Sequence, residues 1–126
     1  GDTLFTNGVG RPDLHADPEA ARQRARALFL SLTHLHQLRP EIVVLPAHAS
    51  EPIAFDGQPV AARLSDVTTW LSGWMASESV FVERVTSNLP ATPPNFVRIV
   101  DLNEAGDLPT GDPTELEAGA NRCAVR

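Results

Sequence analysis

The amino-acid sequence predicts a mixed α/β fold, and three observations carry this prediction. Two short apolar runs, residues 3–6 and 42–45, have the length and composition of strands. The segment between them, residues 17–39, repeats its apolar residues at helical spacing. Shorter helical patterns follow in the second half of the chain. Strands that alternate with helices indicate an α/β arrangement.

The first predicted helix has well-marked ends and one apolar face. Asp17 is a favourable N-cap residue, Pro18 suits the first helical position, and Pro40 predicts an end by residue 39. The face predicted to be buried consists of Ala21, Ala25, Leu28, Leu32 and Leu35. The residues predicted to face water are Arg22, Gln23 and Arg26.

The remaining predicted elements are shorter. Residues 42–45 are continuously apolar, which predicts a strand buried on both faces. Asp56-Gly57 separates residues 53–55 from 60–62, which predicts a hairpin-like excursion. Three more helices are predicted, over residues 65–74, 77–88 and 95–103. The inward side chains of the second of these are predicted to be Val80, Phe81 and Val85.

Composition excludes several classes of function. The ten basic residues against sixteen acidic residues give a net charge of −6, which argues against a nucleic-acid footprint. The apolar runs are too short to span a bilayer. The single cysteine, Cys123, excludes an internal disulfide framework and predicts a reducing, cytoplasmic location.

Two side chains suited to metal binding lie at the ends of the first two predicted strands. Asp2 precedes residues 3–6, and His48 follows residues 42–45. Carboxylate oxygen and imidazole nitrogen suit both zinc and iron. We therefore predict that Asp2 and His48 lie roughly 4–6 Å apart on one rim of the sheet and bind Fe(II) or Zn(II). Two ligands make only part of a site.

Three blocks of sequence carry a resemblance to a known family: Gly-Asp-Thr-Leu-Phe at 1–5, Val-Gly-Arg-Pro-Asp-Leu at 9–14 and Pro-Ala-His at 46–48. Together they resemble the second half of a metallo-β-lactamase-fold domain. Residues 81–106 resemble the tail of the branch that contains persulfide dioxygenases and rhodanese-linked hydrolase-like proteins. The resemblance implies half of an αββα sandwich, with one mixed sheet and helices on its outer face. We expect residues 1–106 to form this half-domain and residues 107–126 to form a C-terminal loop or tail.

The resemblance also implies a metalloenzyme. In the family, the residue matching Asp2 binds the metal, and the residue matching His48 binds a second metal or lies beside the first. The favoured activity is that of a persulfide dioxygenase, which oxidises a thiol persulfide with O2 at a mono-iron site. The alternatives are a zinc-dependent, glyoxalase II-like thioester hydrolase and, from another class, a non-catalytic binding or assembly half-domain. Arg11 and Asp13 are either a simple loop ion pair or, by resemblance, a support for Asp2 or a contact for an anionic substrate.

A partner is expected on the same grounds. The family's His-x-His-x-Asp-His ligands lie upstream of the Gly-Asp block, and this chain begins one residue before Asp2. We expect an upstream N-terminal half-domain to carry those ligands, a small-molecule thiol persulfide or thioester to be the substrate, and the chain alone to be inactive. Without a partner sheet, Leu4 and the inward residues of 42–45 are expected to lose their cover. The chain is therefore expected to pair with that half or to form a homodimer.

Some polar and glycine residues are predicted to have structural roles only. His34 and His36 imitate the family's His-x-His, but residues two apart on a helix point about 200° apart and cannot chelate one ion. His15 has no convincing partner in the sequence. Gly8 and Gly10 are predicted to supply backbone conformations that only glycine tolerates.

Overall fold

The structure is a computed structural model that describes residues 2–49, 53–54, 56–87, 89–116 and 124–125. The chain forms two compact units, one of Gly1–Leu89 with Cys123–Arg126 and the other of Pro90–Arg122. Predictions that involved Phe55, Asn88 and Cys123 lie outside the described residues.

The first helix, α1, spans Pro18–His36 and confirms the sequence prediction. The Asp17 carboxylate accepts hydrogen bonds from the N–H groups of Glu19 and Ala20, both at 2.9 Å, so two of the free N–H groups of the first turn are satisfied. The apolar stripe faces inward as predicted, with Ala21, Ala25 and Leu32 buried and Leu28 and Leu35 half-buried. The predicted water-facing residues are exposed: Arg22, Gln23 and Arg26.

The strands are short and form two antiparallel pairs. Strand β1, Val9–Gly10, pairs with β4, Ala124–Val125, and strand β2, Val43–Val44, pairs with β3, Ala62–Arg63. Residues 3–6, predicted as a strand, contribute only an isolated bridge between Leu4 and Val9.

Two predictions about the second strand region are wrong. The run at 42–45 is not buried on both faces, because Val43 and Leu45 are 58% and 62% exposed. A continuous apolar run reports hydrophobicity, but burial requires a neighbour on each face. The predicted hairpin partner of residues 60–62 also differs: β3 pairs with β2, and the described residues 53–54 belong to no strand.

Two further helices complete the first unit. Helix α2 spans Leu64–Leu71 and ends three residues before the predicted boundary, and helix α3 spans Glu78–Ser87 and packs against α1. Phe81 and Val85 are fully buried, as predicted, but Val80 is 48% exposed. The buried face of a helix is only about 100° wide. Val80 lies at the margin of the face that contains Phe81, so the prediction that Val80 points inward is wrong.

A tryptophan pair lies where α2 ends. The rings of Trp70 and Trp74 have centroids 4.9 Å apart, and the Arg84 guanidinium lies 4.3 Å from the centre of the Trp74 ring. Trp74 is buried, and Trp70 is about one-third exposed. Both side chains pack against neighbours.

The second unit contains one α-helix and one short 3-10 helix. Helix α4 spans Phe96–Ala105 and ends at Gly106, whose φ of 72° is the left-handed conformation that glycine adopts without strain. The 3-10 helix spans Pro113–Leu116. The hydrogen bonds that Thr114 donates from its hydroxyl and its N–H hold the pKa of Asp112 below its ordinary value.

The apolar face that was expected to lose its cover is partly exposed. Val43 and Leu45 face solvent, but Leu4 is only 7% exposed because it packs into the core of the first unit. The prediction for Leu4 is therefore wrong.

No helix in the part of the chain that the structure describes is long and apolar enough to cross a membrane.

Candidate metal centre

The structure brings the two predicted metal-binding side chains into direct contact. The Nδ1 atom of His48 lies 2.5 Å from Oδ1 of Asp2. The two side chains are 39% and 64% exposed, respectively, so they meet at the surface of the first unit. An ionised carboxylate only accepts hydrogen bonds, and Nδ1 of His48 is therefore the donor. Its Nε2 atom takes no part in this contact.

A small hairpin places Asp2. The N–H of Phe5 donates to the carbonyl of Gly8 at 2.9 Å, and the N–H of Gly10 donates to the carbonyl of Thr3 at 3.2 Å. Together with the Leu4–Val9 bridge, these bonds fold residues 3–10 back on themselves. Asp2 therefore directly precedes a hairpin that is held in place by hydrogen bonds between the hairpin's own backbone groups.

His48 is placed by strand β2 and by an aromatic neighbour. It follows Val44 by four residues, and its ring meets the ring of Phe5 edge to face, with centroids 6.2 Å apart and planes at 89°. Phe5 is completely buried. Its part in the site was missed in the sequence, because nothing local signals that a core ring reaches a residue 43 positions away.

Gly10 is required by a close approach of two backbone segments. A Cβ atom at this position would clash with the carbonyl oxygen of Asp2 and lie 3.3 Å from its carbonyl carbon. Its φ lies outside the left-handed region. The predicted reason for Gly10, an unusual backbone conformation, is therefore wrong, and the requirement is one of space.

Replacing Gly10 by alanine is expected to move Asp2 away from His48 and to lower the free energy of unfolding by about 1–3 kcal/mol, since the clash involves backbone that must shift. Gly73→Ala is the matched control, because a Cβ there meets nothing within 4 Å. Urea unfolding of both variants measures the difference. Equal stability of Gly10→Ala and Gly73→Ala would show that the two segments are not held this closely.

Arg11 and Asp13 form a nearly buried ion pair. Arg11 Nε donates to Oδ1 of Asp13 at 3.0 Å, and its terminal nitrogen donates to Oδ2 at 2.6 Å. The side chains are 1% and 16% exposed. This two-point contact fixes the loop that follows β1 and agrees with the ion-pair interpretation of these residues.

The donor set fits part of a metal site. Asp2 and His48 offer the oxygen and nitrogen atoms that iron and zinc accept. Among the described residues, no group of three or more His, Cys, Asp or Glu side chains could hold a metal ion. His34 and His36 therefore do not join Asp2 and His48 in such a group. His34 instead lines an open groove of about 530 Å³ between residues of α1 and β2.

Comparisons with known proteins identify the fold. A scan against protein-family models finds no match, and neither does a search of the curated proteins. Among solved structures, the chain is similar to a metallo-β-lactamase from Staphylococcus aureus subsp. aureus COL, with a TM-score of 0.69 and 23% sequence identity over 90% of this chain. The match covers 32% of the S. aureus chain, so the present chain spans about a third of that structure. The chain therefore has the α/β fold of one part of a metallo-β-lactamase, as the sequence predicted.

Proposed function

We propose that this chain supplies Asp2, and beside it His48, to the metal site of a metallo-β-lactamase-fold metalloenzyme of the persulfide dioxygenase type. The substrate would be a low-molecular-weight thiol persulfide, which is oxidised with O2. The contact between Asp2 and His48 supports this proposal most directly, because it unites the residues that match two separate motifs of the family. The fold likeness to a metallo-β-lactamase supports the superfamily level.

The contact occupies one oxygen of the Asp2 carboxylate. Nδ1 of His48 lies 2.5 Å from Oδ1 of Asp2, so this oxygen accepts from the imidazole. In this arrangement Oδ2 of Asp2 would bind the metal, and His48 would orient the carboxylate through its hydrogen bond to Oδ1.

Each residue then has a defined task. A bound Fe(II) would supply the redox chemistry with O2. Asp2 would hold the ion through a hard anionic oxygen, and His48 would fix the direction of that carboxylate. Arg11 and Asp13 would keep the adjoining loop in place through their buried ion pair.

A zinc-dependent hydrolase of the thioester type is the second candidate. The solved structure with the same fold is named a metallo-β-lactamase, which favours it. In a two-zinc site His48 would bind the second ion, whereas at a mono-iron site it would lie beside the metal without binding it. The two candidates therefore require different numbers of metal ions.

Metal analysis of the native protein that contains this chain distinguishes them. We expect close to one iron per protein, together with O2 consumption that depends on a thiol persulfide. Two zincs per protein with thioester hydrolysis would support the hydrolase instead. Absence of metal after purification without chelators, and after reconstitution with Fe(II) or Zn(II), would contradict both.

We further propose that another part of the same fold, carrying the His-x-His-x-Asp-His ligands, covers the exposed residues of β2. The exposure of Val43 and Leu45 supports this proposal, as does the match to only a third of the S. aureus structure. Pairing of two copies of the chain through this face is the alternative.

A further inference from the structure

Two dipeptides in the sequence place glycine directly after asparagine or aspartate, Asn7-Gly8 and Asp56-Gly57. In such a pair the glycine nitrogen can attack the side-chain carbonyl carbon of the preceding residue, because glycine has no side chain to hinder the approach. A five-membered succinimide ring forms, and ammonia leaves from asparagine or water from aspartate. Water then opens the ring on either side, which gives aspartate or isoaspartate. The fold decides whether the nitrogen can reach the carbon.

The surroundings of Asp56-Gly57 leave this attack open. Asp56, Gly57 and Gln58 are exposed and belong to no helix or strand. Gly57 has a φ of 76°, and a Cβ atom placed on it would meet nothing within 4 Å. Oδ1 of Asp56 accepts a hydrogen bond from the N–H of Gln58 at 3.0 Å, which closes a ring of atoms that contains the Gly57 nitrogen. The carboxyl group therefore stays close to the nitrogen that must attack it.

The surroundings of Asn7-Gly8 oppose the same attack. This pair lies in the hairpin of residues 3–10, which an isolated β-bridge closes. Gly8 is buried, and its carbonyl accepts a hydrogen bond from the N–H of Phe5 at 2.9 Å. Cyclisation would have to turn the peptide unit between Asn7 and Gly8, which requires the hairpin to open locally. The hairpin is therefore expected to protect Asn7.

We propose that the fold directs spontaneous isoaspartate formation to Asp56 and away from Asn7. The Gly57 nitrogen forms a bond to Cγ of Asp56 and loses its proton, and a carboxyl oxygen leaves as water. A second water opens the ring at the original backbone carbonyl of Asp56. Composition and charge are unchanged, but the backbone now runs through Cβ and Cγ and is one carbon longer between β2 and β3. No metal or substrate takes part, so this modification is independent of the proposed function.

The test stores the native protein that contains this chain at neutral pH, either folded or unfolded in guanidinium chloride. Peptide mass spectrometry, with fragmentation that distinguishes isoaspartate from aspartate, measures both positions. We expect several-fold more isoaspartate at position 56 than at position 7 in the folded protein. In the unfolded protein we expect the opposite order, because an uncharged amide is attacked more readily than an ionised carboxylate once the backbone is free.

Two controls make the result specific. Asp56→Glu keeps the charge but would need a less favourable six-membered ring, so we expect the modification at position 56 to disappear. Asp66 is exposed on α2 and is followed by the buried Val67, so it should remain aspartate in the folded protein. Isoaspartate at position 56 only after unfolding would overturn the proposal. So would an amount at position 7 of the folded protein that equals or exceeds the amount at position 56.

Discussion

Replacing Asp2 by alanine is expected to weaken metal binding by the native protein at least about 100-fold and to abolish the proposed metal-dependent activity. Removing a group that only orients a metal ligand weakens metal binding by up to about 100-fold. Asp2→Ala removes the oxygen that is itself proposed to bind the metal, so the loss should be at least as large. The fold should not change. The Asp2–His48 pair is 64% and 39% exposed, and exposed ion pairs contribute about 0–1 kcal/mol to the free energy of unfolding.

Two further variants make this result specific. Asp2→Asn keeps an oxygen that can accept from His48 but removes the negative charge, so we expect the thermal stability to persist while metal affinity falls. Asp66→Ala removes an exposed carboxylate on α2 and should change neither property. Metal titration and thermal unfolding are the measurements. Full metal content in Asp2→Ala would remove Asp2 from the site.

The second large effect is expected in stability. Replacing Arg11 by methionine should lower the free energy of unfolding by about 3–5 kcal/mol, because it leaves the carboxylate of Asp13 without its partner in a nearly buried place. Arg11 is 1% exposed and holds Asp13 at two points. Chemical denaturation measures the loss.

The control for this variant is Arg39→Met. Arg39 lies 3.6 Å from Glu41, but their side chains are 81% and 60% exposed, so we expect a change below about 1 kcal/mol. The double replacement Arg11→Met/Asp13→Leu should recover part of the stability, since it also removes the unpaired charge. Similar losses for Arg11→Met and Arg39→Met would show that burial does not strengthen the Arg11–Asp13 pair.

The parts of the fold that local chemistry determines could be predicted from the sequence. Helix α1 is the clearest case. Its start depends on the Asp17 side chain and on Pro18, its end on the approach to Pro40, and its buried face on spacing within the helix itself. None of these requires knowledge of another segment.

Burial in the strands could not be predicted in this way. Residues 42–45 have the composition of a strand covered on both sides, yet Val43 and Leu45 are exposed. Burial depends on which other segments pack against a strand, and the composition of residues 42–45 does not specify them. Leu4 shows the opposite case, because the core of the same unit covers it.

The same distinction applies to the candidate site. The proximity of Asp2 and His48 was predicted, because each lies at the end of an apolar run and matches a motif. The predicted separation of roughly 4–6 Å was wrong, because the two side chains are in direct contact, with Nδ1 of His48 2.5 Å from Oδ1 of Asp2. The roles of Phe5 and Gly10 were not, since both arise where distant backbone or side chains approach closely. Such contacts depend on the folded arrangement and leave no pattern in the order of residues.

The tryptophan pair determines what fluorescence can report about this protein. The chain has two tryptophans and no tyrosine, so its near-ultraviolet emission comes almost entirely from Trp70 and Trp74. Their rings are close enough to exchange excitation and act as a single chromophore, and a cation lies beside one of them. Both lie in the first unit. A melting curve recorded from tryptophan emission therefore reports the unfolding of the unit that carries Asp2 and His48. It does not report the unfolding of α4.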